Sequence, residues 1–84
     1  MIRVLYFARL KEALGTGGEE VPWVSGLHDV GSLVEWLCSR GGAWAEELAP
    51  GRAVRVAVNQ QMAGFDAPIA DGDEVAFFPP VTGG

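Results

Sequence analysis

Cysteine, histidine and lysine are nearly missing from this 84-residue chain: each occurs once, as Cys38, His28 and Lys11. A single cysteine excludes an internal disulfide framework, and with one histidine beside it there is no ligand set for a zinc site. Positive charge is scarce as well. Six Lys and Arg stand against eleven Asp and Glu, a net charge of −5, so the basic face that nucleic acid requires is not expected. No apolar run approaches the ~18 residues of a membrane span. The first residues enter a strand-like pattern without the layout of a signal peptide. A cytoplasmic protein that engages neither nucleic acid nor membrane is therefore expected, with acidity that suits solubility and a partner of basic surface.

What is present describes a small globular domain. Apolar residues make up 49% and charged residues 20% of the chain, a globular composition. At this length folding buries only ~60–65% of the unfolded surface, so one core is sufficient without being generous, and added stability from a partner fits.

Hydrophobic periodicity gives the elements. Met1–Ala8 alternates as a strand, with Ile2, Val4 and Tyr6 on one face and Arg3, Leu5 and Phe7 on the other. Arg9–Leu14 predicts a short helical turn stopped at Gly15. The following Gly15-Thr16-Gly17-Gly18 lacks the Gly-Lys-Ser/Thr ending of a phosphate loop and reads as a turn. Glu19–Val24 predicts an edge strand, because Pro22 cannot donate to a ladder. Asp29 caps a helix expected from Val30 to about Arg40, with Val30, Leu33, Val34 and Leu37 as its apolar stripe and Gly41-Gly42 as its stop. Gly31 weakens the first turn of that helix. Trp44–Leu48 is a further short turn. Val54, Val56 and Val58 form a strand, Asn59-Gln60 a turn, and Gln61–Ala63 a short strand pairing back. Asp71-Gly72 is a tight turn into the last strand, Glu74–Phe78.

Too few strands exist to close a barrel, so one sheet face takes the helix. That face holds Ile2, Val4, Tyr6, Val54, Val56, Val58, Val75 and Phe77. The other holds Leu5, Phe7, Ala57 and Phe78 among Arg3 and Arg55. Exposed apolar clusters rimmed by charge mark interaction surfaces, the alternative being a face covered by a short helix or loops.

Individual reactive side chains offer little. Cys38 lies beside the helical stripe with no activating histidine, and reads as a small buried hydrophobe. His28 reads as a turn or capping residue. Asp71, Asp73 and Glu74 form an acidic run without further ligands, a solvated turn rather than a metal site.

The end of the chain is more informative. Pro79-Pro80 favours extended backbone, so residues 1–80 are expected to form the domain and 81–84 an arm held away from it. Gly83-Gly84 leaves the α-carboxylate unhindered and the backbone slim enough for a narrow channel. The dipeptide by itself equally suits an inert tail.

The chain resembles the ubiquitin-like sulfur carriers that form the small subunit of molybdopterin synthase. The resemblance rests on Met1-Ile2-Arg3-Val4-Leu5-Tyr6-Phe7-Ala8, on Val56-Ala57-Val58-Asn59-Gln60, and above all on Asp71-Gly72-Asp73-Glu74-Val75-Ala76-Phe77-Phe78-Pro79-Pro80-Val81-Thr82-Gly83-Gly84. It implies an α+β, ubiquitin-like β-grasp fold, with a mixed sheet of about five strands on one main helix. It further implies that Gly84 is adenylated by a ubiquitin-activating-type enzyme using ATP, converted to a thiocarboxylate with a sulfur donor protein, and used to build the dithiolene of molybdopterin from cyclic pyranopterin monophosphate. Pro80, Val81, Thr82 and Gly83 would then lie in a channel of the large subunit, in a heterotetramer of the two chains, with the catalytic acids and bases on that partner. Phe7, Met62 and Phe78 would bind the partner. No cofactor or metal is implied to stay bound. Carriers for thiazole, cysteine or tRNA thiolation, a ubiquitin-like modifier, and an inert interaction module are the alternatives.

Overall fold

Alternating apolar residues at the start of the chain produce β1 (Ile2–Tyr6), an interior strand of the sheet. The computed structural model describes residues 1–79. After β1 come α1 (Arg9–Leu14), β2 (Gly18–Val21), α2 (Val30–Cys38), α3 (Gly42–Glu47), β3 (Arg55–Val58), β4 (Gln61–Ala63) and β5 (Glu74–Phe78). Residues 80–84, and with them the expected boundary at 80/81, lie outside the described residues. The strands form one sheet in the order β2-β1-β5-β3-β4. β1 and β5 are parallel neighbours, and every other pair is antiparallel. This is the expected β-grasp: a mixed five-stranded sheet with its helices on one face. No helix among the described residues is long and apolar enough to cross a membrane.

α2, with nine residues, is the one main helix expected, and α1 and α3 are six-residue helices beside it. Left-handed backbone accounts for the separation. Gly15 at φ 75° ends α1, and Gly41 at φ 76° parts α2 from α3, conformations that glycine adopts without steric cost. α2 stops at Cys38 rather than Arg40, giving way to tighter turn bonds from Arg40 N–H to Leu37 O and Gly41 N–H to Cys38 O. Its start is well defined: the Asp29 carboxylate accepts from Ser32 N–H at 2.7 Å, and Ser32 Oγ accepts from Asp29 N–H at 3.1 Å, a reciprocal cap. The Ser32 backbone N–H holds the Asp29 carboxyl below its usual range. Gly31 has a packing reason to sit in the first turn. Its N–H donates to Phe65 O at 2.8 Å, and a Cβ there would stand 3.2 Å from that same oxygen.

β2 begins at Gly18 and stops at Val21, because Pro22 has no N–H with which to continue. It lies at the sheet edge, as Pro22 requires. Val54 precedes β3 and packs against the core without joining the ladder.

The core fills the space between the sheet and the helices. Ile2, Val4, Tyr6, Val21, Val56, Val75 and Phe77 point into it from the strands, and Leu10, Leu14, Val30, Leu33, Leu37 and Leu48 from the helical side. Tyr6 and Phe77 stack with ring centroids 6.3 Å apart. A polar cluster closes one margin of this core. Tyr6 O–H donates to Glu19 Oε2 at 2.8 Å and accepts from Trp44 Nε1 at 3.2 Å. Arg40 binds Glu19 through both terminal nitrogens at 2.7 Å, and its guanidinium lies 5.0 Å from the ring centroids of both Trp36 and Trp44. Arg40 holds the Glu19 carboxyl below its usual range, while burial pushes the Tyr6 phenol well above its own.

Candidate functional site

The face of the sheet turned away from the helices carries the candidate site. Registry sets three rows across it. One row holds Glu20, Arg3 and Glu74. The middle row holds Gly18, Leu5, Ala76, Ala57 and Met62. In the third, Phe78 pairs with Arg55. Phe7 extends that third row, since its N–H donates to Phe77 O at 3.1 Å and strand alternation turns it to the same side as Leu5. The buried residues of α1 and α2 join the core on the opposite side, and Ala43 and Trp44 of α3 pack against it.

This face is apolar at its centre and charged at its margin. Met62 is 61% exposed and Phe7 47%, while Leu5 and Phe78 are half-buried. Ala57 and Ala76 are nearly covered, at 9% and 8%; small side chains between larger neighbours lose water without any overlying element. Arg3, Glu20, Glu74 and Arg55 provide the rim. Such a surface suits a protein partner with an apolar centre and a polar border.

The structure thus brings Phe7, Met62 and Phe78 onto one face. It adds Ala76, Glu20 and Glu74, which only strand registry could assign. Of the remaining candidates, Pro80, Val81, Thr82, Gly83 and Gly84 lie outside the described residues.

β5 leads from this face toward that segment. Pro79, directly after β5, lines a groove of about 490 Å³ with Ala8, Arg9, Leu10, Arg52, Ala53 and Val54. One wall is a tight turn in which Leu10 N–H donates to Phe7 O at 3.1 Å. Ala8 takes a φ of 54° and ψ of −129° in it, a conformation costly for any residue with a Cβ. The surroundings of Pro79 therefore come from the β1–α1 turn and the approach to β3, two segments that are distant in sequence.

Reactive side chains elsewhere in the chain are accounted for by local structure. Cys38 is half-buried, and its thiol donates to Leu48 O at 3.4 Å. Burial raises its pKa, the opposite of what an activated thiol needs. His28 is exposed, with Nδ1 2.9 Å from Gly26 O, a turn contact. Asp71 pairs with the N-terminal ammonium. Asp73 accepts from Ala70 N–H at 2.8 Å and from Asn59 Nδ2 at 3.1 Å, and Glu74 N–H donates to Asn59 Oδ1 at 3.0 Å. These contacts build the turn before β5.

The Arg40 cluster leaves little trace in the sequence. Its only signal is spacing: Trp36 and Trp44 flank Arg40 four residues away on each side. Positions four apart share a face of a helix, but Gly41-Gly42 interrupts this one, and the partner Glu19 comes from a different element altogether.

Related chains share this length and fold. The ThiS family matches residues 4–84. The molybdopterin synthase sulfur carrier subunit of Escherichia coli is 45% identical over 84 residues, covering all of both chains. The protein of the same description from Haemophilus influenzae is 36% identical over the same full length. Among solved structures, small archaeal modifier protein 1 of Haloferax volcanii superposes with a TM-score of 0.77 at 28% identity, covering 95% of this chain and 97% of that one.

Proposed function

The chain belongs to the ThiS family, and on that premise we propose that it is the sulfur carrier subunit of a molybdopterin synthase. The observation that carries this reading is the full-length relation to the Escherichia coli subunit, at 45% identity with no part of either chain left over. The apolar sheet face supports it, because a carrier must dock before it can deliver.

In this reading the Gly84 carboxylate is the working group. It is a poor acyl donor, so an adenylating partner first lets it attack the α-phosphate of ATP, releasing pyrophosphate and leaving an acyl-adenylate. A sulfide equivalent from a donor protein then adds to the acyl carbon. AMP departs with one of the original carboxylate oxygens, and a thiocarboxylate remains. The docked carrier presents this sulfur, as nucleophile, to cyclic pyranopterin monophosphate in the large subunit, where a C–S bond forms as the C–O bond of the same carbon breaks and its oxygen leaves. Hydrolysis of the resulting thioester leaves sulfur on the pterin and regenerates the carboxylate. Two deliveries complete the dithiolene.

This chain's part is positioning. Leu5, Phe7, Met62 and Phe78 form the docking face, and Pro79 and Pro80 direct the arm. Val81 and Thr82 lie within the partner's channel, and Gly83 and Gly84 leave the acyl carbon open to attack. The paucity of lysine and histidine fits catalysis by partner groups. No bound cofactor is needed, and ATP is consumed by the activating enzyme.

Reconstitution with the large subunit tests the proposal. The thiocarboxylated chain should convert the pterin precursor to molybdopterin, and the chain lacking Gly84 should not. Full activity from the truncated chain would defeat the carrier mechanism. A second reading, attachment to lysines of other proteins, draws on the 28% identity with the small archaeal modifier. It predicts isopeptide conjugates in cell extracts, which sulfur delivery does not produce.

A further inference from the structure

Three of the six basic residues in this net-acidic chain gather where β5 ends. Arg9 and Arg52 line the groove beside Pro79, and Arg55 faces Phe78 across the β3–β5 ladder. All three are exposed. Arg9 lies 3.0 Å from the largely buried carboxylate of Glu47, so its charge is already countered. Arg52 donates through Nε to the backbone oxygen of Glu46 at 3.0 Å. Among the described residues neither Arg52 nor Arg55 forms an ion pair, including with the Glu46 carboxylate. Much of the acidic excess lies at the other end of the strands, with Asp71, Asp73 and Glu74 before and at the start of β5 and Glu20 opposite Arg3. The surroundings of Pro79 therefore reverse the sign of the molecule as a whole.

We infer that Arg52 and Arg55 form a basic collar that docks against acidic side chains around the mouth of the channel through which the synthase's large subunit admits the tail. This rests on the proposed tail insertion and adds the chemistry of the surface that surrounds it. Reach decides between a protein rim and a phosphate. Gly84 lies five residues beyond Pro79, a span of at most about 16–18 Å that the extended, inserted tail of the proposed function uses in full and that exceeds an arginine side chain's reach. Phosphates reacting at or near Gly84 are thus beyond the collar, whereas the channel mouth meets it directly. A planar guanidinium also matches a carboxylate in bidentate fashion, and unpaired positive charge on an acidic protein orients the approach of a partner.

Association of the full-length chain with the purified large subunit of molybdopterin synthase, followed by stopped flow over a salt series, tests the collar. The double variant Arg52→Gln/Arg55→Gln should associate about tenfold more slowly at low salt. Its rate should converge with that of the wild type near 1 M salt, where the screening length is ~3 Å. Arg52→Lys/Arg55→Lys, which keeps the charge, should retain the wild-type salt slope and so separates charge from folding. Phe78→Ala should speed dissociation while leaving that slope unchanged. Equal association rates and salt slopes for wild type and the glutamine variant would overturn the collar and leave the docking face standing. A wild-type chain that does not bind the large subunit would overturn the docking reading, and the collar with it.

Discussion

Phe77 and Phe78 are consecutive residues of one strand, yet they belong to different halves of the molecule. Phe77 has no exposed surface and stacks on Tyr6, inside a core completed by three helices. Phe78 points the other way, half-buried between Arg55 and the apolar middle row of the open face. The helix side holds the single core, and the Tyr6–Glu19–Arg40 cluster at its margin is closed by two indole rings, although Phe65 beside α2 stays exposed. The open face leaves Met62 and Phe7 largely in water. A chain this small has little apolar surface to spare, so leaving such a face uncovered points to a use outside the fold.

Substitution can break that division. The largest effect is expected for Phe77→Ala, which should cost about 3–5 kcal/mol of unfolding free energy by denaturant titration. The fraction that remains folded should bind the large subunit normally. Phe78→Ala should invert the pattern, losing about 2 kcal/mol or more of binding, the range of an interface anchor, with stability changed by about 1 kcal/mol or less. Similar stability losses for the two variants would erase the distinction between the faces.

Glu19→Gln sharpens the helix side. It removes the charge from the Arg40 hydrogen bonds and should cost about 1–2 kcal/mol at neutral pH. The folded pKa of Glu19 lies below its ordinary 4.5. Its contribution is therefore fully present above that ordinary value and is lost as pH falls through the lowered one. Thermal melts of the wild type should lose stability below about pH 4.5, with Asp29, also held low, contributing in the same direction. The glutamine variant should show a shallower acid slope. The smallest effect is expected where the two halves meet, at Ala8. Relieving its positive φ by Ala8→Gly should outweigh the added chain entropy and stabilise the fold by about 0.5–1 kcal/mol.

The two faces also differ in how they are written into the chain. Strand alternation in Ile2–Tyr6 and Val54–Val58, the Asp29 cap and the Asp71-Gly72 turn are local signals. Together they assign both faces and nearly every element. The helix boundaries depart from the apolar stripe by about one turn at most, with glycine at positive φ ending α1 and separating α2 from α3. The Arg40 cluster, the strain at Ala8 and the basic residues around Pro79 are not legible in this way. Each depends on segments brought together by the sheet order, with β1 beside β5 and Arg52 beside Arg9, and no local pattern encodes that.

If the domain serves to carry one reactive group, the chemistry must appear at its terminus and nowhere else. Intact-mass spectrometry of the chain, after incubation with its adenylating enzyme, ATP and a sulfur donor, reads this out. The mass should increase by the exchange of one oxygen for sulfur, localised to Gly84 by fragmentation and lost when ATP is omitted. An unchanged mass under conditions that thiocarboxylate the Escherichia coli subunit would contradict the carrier role.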